Sequence, residues 1–557
     1  MTDLKASGLR TSGQVVVKGL RVVARERREE TVIVENIDFT IQRGEVLALI
    51  GESGSGKTTI ALATMGYARK GCHIHSGHVE VFGTDITAAG EKALRQIRGN
   101  RIAYIAQSAA ASFNPSRTIM AQVIESAVIH GSMGADEART KAKALFRELA
   151  LPHPDTIGDR YPHQVSGGQL QRLLAAMALL NDPDLVIFDE PTTALDVTTQ
   201  IEVLCSFKKA VRDRGITGIY VSHDLAVVAQ IADRIAVLRD GRLKEVAPTQ
   251  EIITDAKDPY TRQLLAAAEP ASRREGAREP DHVAAPILEA KGILAGYGQR
   301  ERDGSPKVRI LDDVGFRLPK GGTLGVIGES GSGKSTLARV VAGILPASRG
   351  EVRLAGKVLA PSLNERQRDE LRRVQIVFQN ADTALNPAQT IGEILGRPLT
   401  FYHGLGTAER HKRTLRLLDL VRLPAGVLER LPSEMSGGQK QRANLARALA
   451  ADPDVILCDE VTSALDTVVA EAILDLLAEL KRELAVSYVF ISHDLGVVRA
   501  ISDEVLVLQN GRIVESGPTE TLLANPREDY TKLLLSSVPE LRTGWLDEVN
   551  AKRQQAA

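Results

Sequence analysis

Cysteine is scarce. The three in 557 residues, Cys72, Cys205 and Cys458, lie too far apart along the chain to suggest a disulfide framework or a Cys-ligated cluster. Net charge is missing as well. The 70 Lys and Arg balance the 70 Asp and Glu, so no global basic field argues for a nucleic-acid partner. Nor is there a long hydrophobic run. The apolar stretch over residues 173–180, with Arg172 and Asp182 beside it, falls far short of the roughly 18 residues that a membrane span needs. The N-terminus, with Asp3 and Lys5, has no apolar core of the kind a secretory signal carries. By these tests the protein is expected to be cytosolic.

What is present is a hydrophobic content of 43%, typical of globular protein, in a chain long enough for two or more domains. The chain is organised around one stretch that occurs twice. Gly51, Glu52, Ser53, Gly54, Ser55, Gly56, Lys57 and Thr58, followed by Thr59, recur as Gly328, Glu329, Ser330, Gly331, Ser332, Gly333, Lys334 and Ser335, followed by Thr336. In such a loop the glycines let backbone N–H groups close around phosphate oxygens. The Lys reaches the terminal phosphates, and the Thr58 or Ser335 hydroxyl takes Mg²⁺. One match in a glycine-rich chain could be chance. Here each loop follows an apolar run of strand length, Val46-Leu47-Ala48-Leu49-Ile50 and residues 323–327, and precedes a plausible helix at 57–67 or 334–345. Two loops in that order predict two nucleoside triphosphate sites.

Other landmarks repeat with them. Lys57 and Lys334 are 277 residues apart, while Ser166 and Ser436, Asp189 and Asp459, and His223 and His493 are each 270 apart. So long a period means a duplicated domain rather than a solenoid of short units. The expected division is a first domain over residues 1–268, a polar Pro/Gly-bearing linker over 269–286, a second domain over 287–545 and a polar C-terminal tail over 546–557. Within each half, short apolar runs alternate with helical stretches such as 88–97 and 136–149. Asp240-Gly241 and Asn510-Gly511 mark hairpins, and the class is α/β.

Two further motifs carry chemistry. Asp189-Glu190 and Asp459-Glu460 each end an apolar strand-like run. The first carboxylate of such a pair can hold Mg²⁺, and the second can orient or deprotonate an attacking water. The plainer alternative, that the pair merely leaves the core for solvent, loses weight beside a phosphate loop. Ser166, Gly167, Gly168 and Gln169, matched by Ser436, Gly437, Gly438 and Gln439, read as helix N-termini aimed at phosphate, against a simple capped turn. Cys72, His73, His75 and His78 are dense enough for a metal site. Their register with Arg349-Gly350-Glu351-Val352 places them in a surface connection before a strand, and the other half has no His there, which favours a solvated turn.

Together with Gln107 and Gln379, Ala194-Leu195-Asp196 and Ala464-Leu465-Asp466, and His223 and His493, these motifs resemble the nucleotide-binding domains of ABC transporters over essentially both halves. The resemblance implies two tandem ABC-type P-loop NTPase domains, each a RecA-like core with an antiparallel β subdomain and a helical subdomain. It implies ATP and Mg²⁺, with Thr58, Gln107 and Asp189, or Ser335, Gln379 and Asp459, around the metal. Two ATP molecules would be sandwiched head to tail, each between one half's phosphate loop and the other half's signature. Glu190 and Glu460 match catalytic bases, His223 and His493 match switch histidines, and Asp196 and Asp466 belong to the nucleotide set. Tyr297 matches the aromatic residue that stacks on adenine. Its counterpart is Ala24, so the first site is expected to hold adenine less tightly. Val461 replaces Pro191, and both sites are expected to hydrolyse ATP.

Asp258-Pro259-Tyr260-Thr261-Arg262-Gln263-Leu264-Leu265 and Asp529-Tyr530-Thr531-Lys532-Leu533-Leu534, with Asn114-Pro115 and Asn386-Pro387, resemble the subfamily that drives dipeptide, oligopeptide and nickel importers. That implies two integral-membrane permease subunits and an extracytoplasmic solute-binding protein as partners, no nucleic acid, and a peripheral place on the cytoplasmic face of the inner membrane. Residues 541–557 contain no Cys, so the iron–sulfur cluster of many relatives is not expected. Metal chelates or nickel stand as alternatives to peptides. A tandem ATPase acting on ribosomes would typically carry a longer, more charged segment than 269–286, and a DNA-repair ATPase would carry zinc-type Cys pairs.

Overall fold

Five-residue runs such as Val46–Ile50, every one of them buried, can only be central strands of a sheet covered on both faces, and that sheet is the frame of each half. The computed structural model describes residues 14–26, 29–193, 195–268, 285–302, 304–463 and 465–556. The chain forms two units, Met1–Glu269 with Pro539–Ala557, and Pro270–Val538. Most of the expected linker, residues 269–284, lies outside the described residues, as do Ala194 and Ala464.

In the first unit, β1 (Gln14–Glu26), β2 (Glu29–Gln42), β3 (Val46–Ile50), β4 (Cys72–Val81), β5 (Thr84–Asp85), β6 (Ile102–Ile105), β7 (Leu185–Asp189), β8 (Thr217–Val221), β9 (Arg234–Arg239) and β10 (Arg242–Pro248) make two sheets. An antiparallel sheet runs β2-β1-β4-β5, and a six-stranded sheet runs β10-β9-β3-β8-β7-β6. The larger is parallel except for the β9–β10 hairpin. One core joins both sheets, Val15, Val17 and Val79 packing with Leu47, Leu49, Ile187 and Ile219.

The second unit repeats this plan. β11 (Leu288–Arg300), β12 (Pro306–Leu318), β14 (Arg349–Leu354) and β15 (Lys357–Val358) form its antiparallel sheet. β13 (Thr323–Ile327), β16 (Val374–Val377), β17 (Val455–Asp459), β18 (Ser487–Ile491), β19 (Glu504–Gln509) and β20 (Arg512–Pro518) form the other, in the order β16-β17-β18-β13-β19-β20. A second core packs helices Ile391–His403, Thr407–Leu420 and Gly437–Leu449 through Leu395, Leu399, Leu417 and Leu445.

In both units four neighbouring parallel strands stop on the same side. β3, β8, β7 and β6 deliver there Gly51, Ser222, Glu190 and Ala106, and ligands of open parallel sheets bind outside such carboxyl ends.

Two expectations need correction. Cys72, His73, His75 and His78 lie within β4 rather than in a connection before a strand. Strand alternation sends His73 and His75 outward with rings 6.2 Å apart, while His78 faces Asp85 and Glu80. Among the described residues no group of three His, Cys, Asp or Glu is placed to hold a metal. The polar tail is a helix, Trp545–Ala556, that packs within the first unit against helix Val197–Arg214. Its charged residues disguise an anchor, because Trp545 is 3% exposed and Leu546 1%. Among the described residues no helix is long and apolar enough to cross a membrane.

Candidate nucleotide sites

Each phosphate loop is shaped by a glycine that nothing else can replace. A Cβ on Gly51 would stand 2.0 Å from the Leu238 carbonyl oxygen, and one on Gly328 2.1 Å from that of Leu508. The helices that follow, Lys57–Ala63 and Lys334–Val341, have Gly56 and Gly333 at their N-caps, so no side chain covers their first N–H groups. Lys57 is buried and curls back over its loop, its Nζ donating to the Gly51 and Glu52 carbonyls at 2.7 and 2.8 Å. Lys334 does the same to Gly328 and Glu329, both at 2.7 Å. Inside each loop a buried hydroxyl, Ser55 Oγ or Ser332 Oγ, has no protein partner among the described residues. An N–H-rich cradle holding an ammonium and an unsatisfied hydroxyl fits a polyphosphate.

The hydroxyl and carboxylate expected at the metal meet in both units. Thr58 Oγ1 donates to Asp189 Oδ1 at 2.8 Å, and Ser335 Oγ to Asp459 Oδ1 at 2.9 Å. A hydroxyl–carboxylate pair beside a phosphate cradle is the all-oxygen donor set that suits Mg²⁺. Burial pushes the Asp459 carboxyl up and the neighbouring Glu460 charge adds to this, outweighing the Ser335 hydrogen bond; a cation at that position would favour the ionised form. Gln107 and Gln379 do not join this set. Their Nε2 atoms donate instead to Glu190 Oε2 at 2.9 Å and Glu460 Oε2 at 2.7 Å.

Each glutamate also faces its histidine. Glu190 Oε1 lies 3.3 Å from His223 Nδ1, and Glu460 Oε2 lies 3.6 Å from His493 Nδ1. Burial raises both carboxyl pKa values, but the histidine hydrogen bond and charge, helped by Lys57 or Lys334, win and hold them below the ordinary carboxylate range. The histidines move the opposite way. Burial disfavours their charge, yet the glutamates raise them above the ordinary imidazole value. Both glutamates have left-handed backbone, φ 48° and 51°, fixed by N–H bonds to the Val221 and Ile491 carbonyls.

The other predicted residues sit farther from this chemistry. Ser166 and Ser436 each close a reciprocal capping box with Gln169 and Gln439 at the start of Gly167–Leu179 and Gly437–Leu449. The capped turn is therefore real, while Ser166, Gly167, Ser436 and Gly437 remain exposed. Asp196 and Asp466 cap the helices Val197–Arg214 and Thr467–Leu484. Tyr297 is 42% exposed and accepts a hydrogen bond from Arg339 at 3.2 Å. It pairs with Val308 across the β11–β12 ladder as Ala24 pairs with Thr31 across β1–β2, so the alignment of those two positions is also structural.

Three contacts escaped the sequence. Tyr104 OH donates to Asp189 Oδ2 at 2.7 Å. The Tyr260 hydroxyl accepts from the Glu52 N–H at 3.2 Å, and that of Tyr530 from the Glu329 N–H at 2.9 Å, which ties the Asp258 and Asp529 elements to the phosphate loops. Glu245 accepts the N–H groups of Lys257 and Asp258, as Glu515 accepts those of Arg527 and Glu528. A repeated Tyr in both C-terminal elements was the available signal for the second contact.

Residues 34–193 and 311–463 match the family model described as ABC transporter. Residues 245–291 and 514–557 match that of the oligopeptide/dipeptide transporter C-terminal region. The chain is 37% identical over 532 residues to the peptidoglycan transport ATP-binding protein YejF of Agrobacterium fabrum, covering 94% of this chain and 95% of that one. It is 37% identical over 558 residues to the glutathione import ATP-binding protein GsiA of Salmonella paratyphi A, covering 94% and 89%. The Escherichia coli K12 protein of that name is 36% identical over 567 residues, again covering 94% and 89%.

Proposed function

The chain belongs to the ABC transporter family, in its oligopeptide/dipeptide branch, and from that membership we propose how its two sites power an importer of peptides or peptide-like solutes. It is the ATP-hydrolysing subunit of such a system, with both ATPase domains in one chain. The observation that carries the mechanism is the meeting, twice over, of a phosphate cradle, a hydroxyl–carboxylate pair and a Gln–Glu–His cluster at the ends of adjacent parallel strands.

Thr58 with Asp189, and Ser335 with Asp459, would hold Mg²⁺. Bound there, the ion supplies charge neutralisation for the phosphates. Lys57 and Lys334 exchange their loop carbonyls for phosphate oxygens, an ammonium that is already buried being well placed to bind a polyanion. Glu190 and Glu460, held ionised, accept the proton of the attacking water. His223 holds one oxygen of Glu190 and Gln107 the other, whereas His493 and Gln379 both meet Oε2 of Glu460. The exposed helix N-termini at 166–169 and 436–439 grip nucleotide phosphate. At the cytoplasmic face of the membrane the chain drives two integral-membrane permease subunits, which carry the solute delivered by an extracytoplasmic binding protein. The relatives named for glutathione and peptidoglycan support a peptide-like cargo over a metal chelate.

The double variant Glu190→Gln, Glu460→Gln tests the base assignment. It should bind ATP but not turn it over when assayed with the permeases. Appreciable hydrolysis would remove both glutamates from that role.

A further inference from the structure

The two carboxylates that would face the metal are not held alike. Asp189 has a donor on each oxygen, Thr58 Oγ1 on Oδ1 at 2.8 Å and Tyr104 OH on Oδ2 at 2.7 Å. Asp459 has Ser335 Oγ on Oδ1 at 2.9 Å, and at the position of Tyr104 the second unit has Ile376, which can donate nothing. The sheets establish the equivalence. Tyr104 pairs with Ile187 two residues before Asp189, and Ile376 with Leu457 two residues before Asp459. Each stands three residues before Gln107 or Gln379. The surroundings also differ, since Arg339, whose charge acts on Asp459, corresponds to Leu62 in the first unit.

A carboxylate tied at both oxygens cannot swing about its terminal torsion, whereas one tied only by a hydroxyl that the metal itself would claim keeps that freedom. Partners of this kind, which touch the ligand and not the metal, typically cost about 10- to 100-fold in metal affinity when removed. We infer that Tyr104 is a positioning residue for the divalent cation of the first nucleotide site, its hydroxyl fixing the Asp189 carboxylate so that this site holds the metal more tightly than its twin. The inference rests on the reading that Asp189 and Asp459 serve Mg²⁺. At limiting metal the first site is then the last to lose it, and the two halves work as unequal partners although both keep a full catalytic set.

The experiment uses the full chain, Mn²⁺ as probe and a non-hydrolysable ATP analogue, with bound Mn²⁺ read by electron paramagnetic resonance. Lys334→Ala isolates the first site and Lys57→Ala the second. The first site should bind Mn²⁺ about tenfold more tightly, and Tyr104→Phe should weaken it by about tenfold while leaving the second site unmoved. Ile376→Tyr should tighten the second site, and it reads the same contact by gain should Tyr104→Phe fail to fold. First-site affinity that is unchanged or increased by Tyr104→Phe overturns the inference, as does an Ile376→Tyr protein with no gain. A wild-type chain that takes up no nucleotide-dependent Mn²⁺ would instead overturn the reading of the sites themselves.

Discussion

Gln230 is the pin that holds residues 539–556 on the first unit, and its removal has a readout built into the chain. The side chain is 2% exposed. Its Nε2 donates to the Glu540 and Arg542 carbonyls at 2.8 and 2.9 Å, and its Oε1 accepts the Leu546 N–H at 3.0 Å. Around it, Lys208 pairs with Asp547 at 2.7 Å and Thr543 bonds Gln250. In the second half the positions of Gln230 and Lys208 are Ala500 and Ala478, which have no such groups to offer. Gln230→Ala deletes its three hydrogen bonds to this segment, worth about 1 kcal/mol each, so docking should weaken by ~3 kcal/mol, on the order of a hundredfold. The chain has one tryptophan, Trp545, which sits in this contact 3% exposed. Its emission in the variant should shift to the red and become open to acrylamide quenching, and trypsin should cut at Lys552 faster than in wild type. Unchanged emission and quenching would show that burial of Trp545 and Leu546 suffices without Gln230, and the reasoning would fail.

Two more outcomes follow from contacts at the loops and the hairpins. Tyr260→Phe with Tyr530→Phe removes the acceptors of the Glu52 and Glu329 N–H groups, at a cost of ~1 kcal/mol per site. The KM for ATP should rise about fivefold with kcat moved less, and an unaltered KM would mean that the loops hold their shape unaided. For Glu245, burial raises the carboxyl, but the hydrogen bonds from the Lys257 and Asp258 N–H groups outweigh it and hold the pKa below the ordinary 4.5. A lowered folded value means that this tether is complete above pH 4.5 and is lost as pH falls through the lowered pKa. The protection of helix Pro259–Ala268 against hydrogen exchange, taken relative to the intrinsic rate at each pH, should therefore fall on acidification below that point, and Glu245→Gln should abolish the dependence. An acid response that persists in the variant would assign it to other carboxylates.

The phosphate loops, the Asp-Glu pairs and the two histidines were legible because each is a short contiguous motif whose chemistry needs its neighbours in sequence. The α/β class was legible for a similar reason, since a fully buried parallel strand such as Val46–Ile50 has no polar face to disguise it. Tyr104 was not legible. It stands in an apolar strand, where a ring reads as core, and only the parallel pairing with β7 shows its hydroxyl reaching Asp189. The tie between Tyr260 and Glu52 spans 208 residues, and no local pattern encodes such a distance. The helix Trp545–Ala556 was read as a polar tail because its composition is polar throughout except for an anchor at its start, and the residue that receives the anchor is 316 positions earlier. The histidines of β4 were displaced because their register came from Arg349-Gly350-Glu351-Val352, where the strand is 6 residues long, whereas β4 has 10 and reaches back to Cys72.

The backbone at Glu190 and Glu460 makes the carboxylate proposed as the base a liability to the fold that carries it. A left-handed conformation costs an ordinary L-residue roughly 1–2 kcal/mol, and Gly or Asn would sit there with less strain. Gly and Asn at these two positions should therefore be enriched, not depleted, in any selection that rewards thermal endurance alone. A library screened by heat challenge would drift toward a sturdier chain that grips ATP and never spends it, and only a growth requirement for the imported solute would keep the glutamates in place.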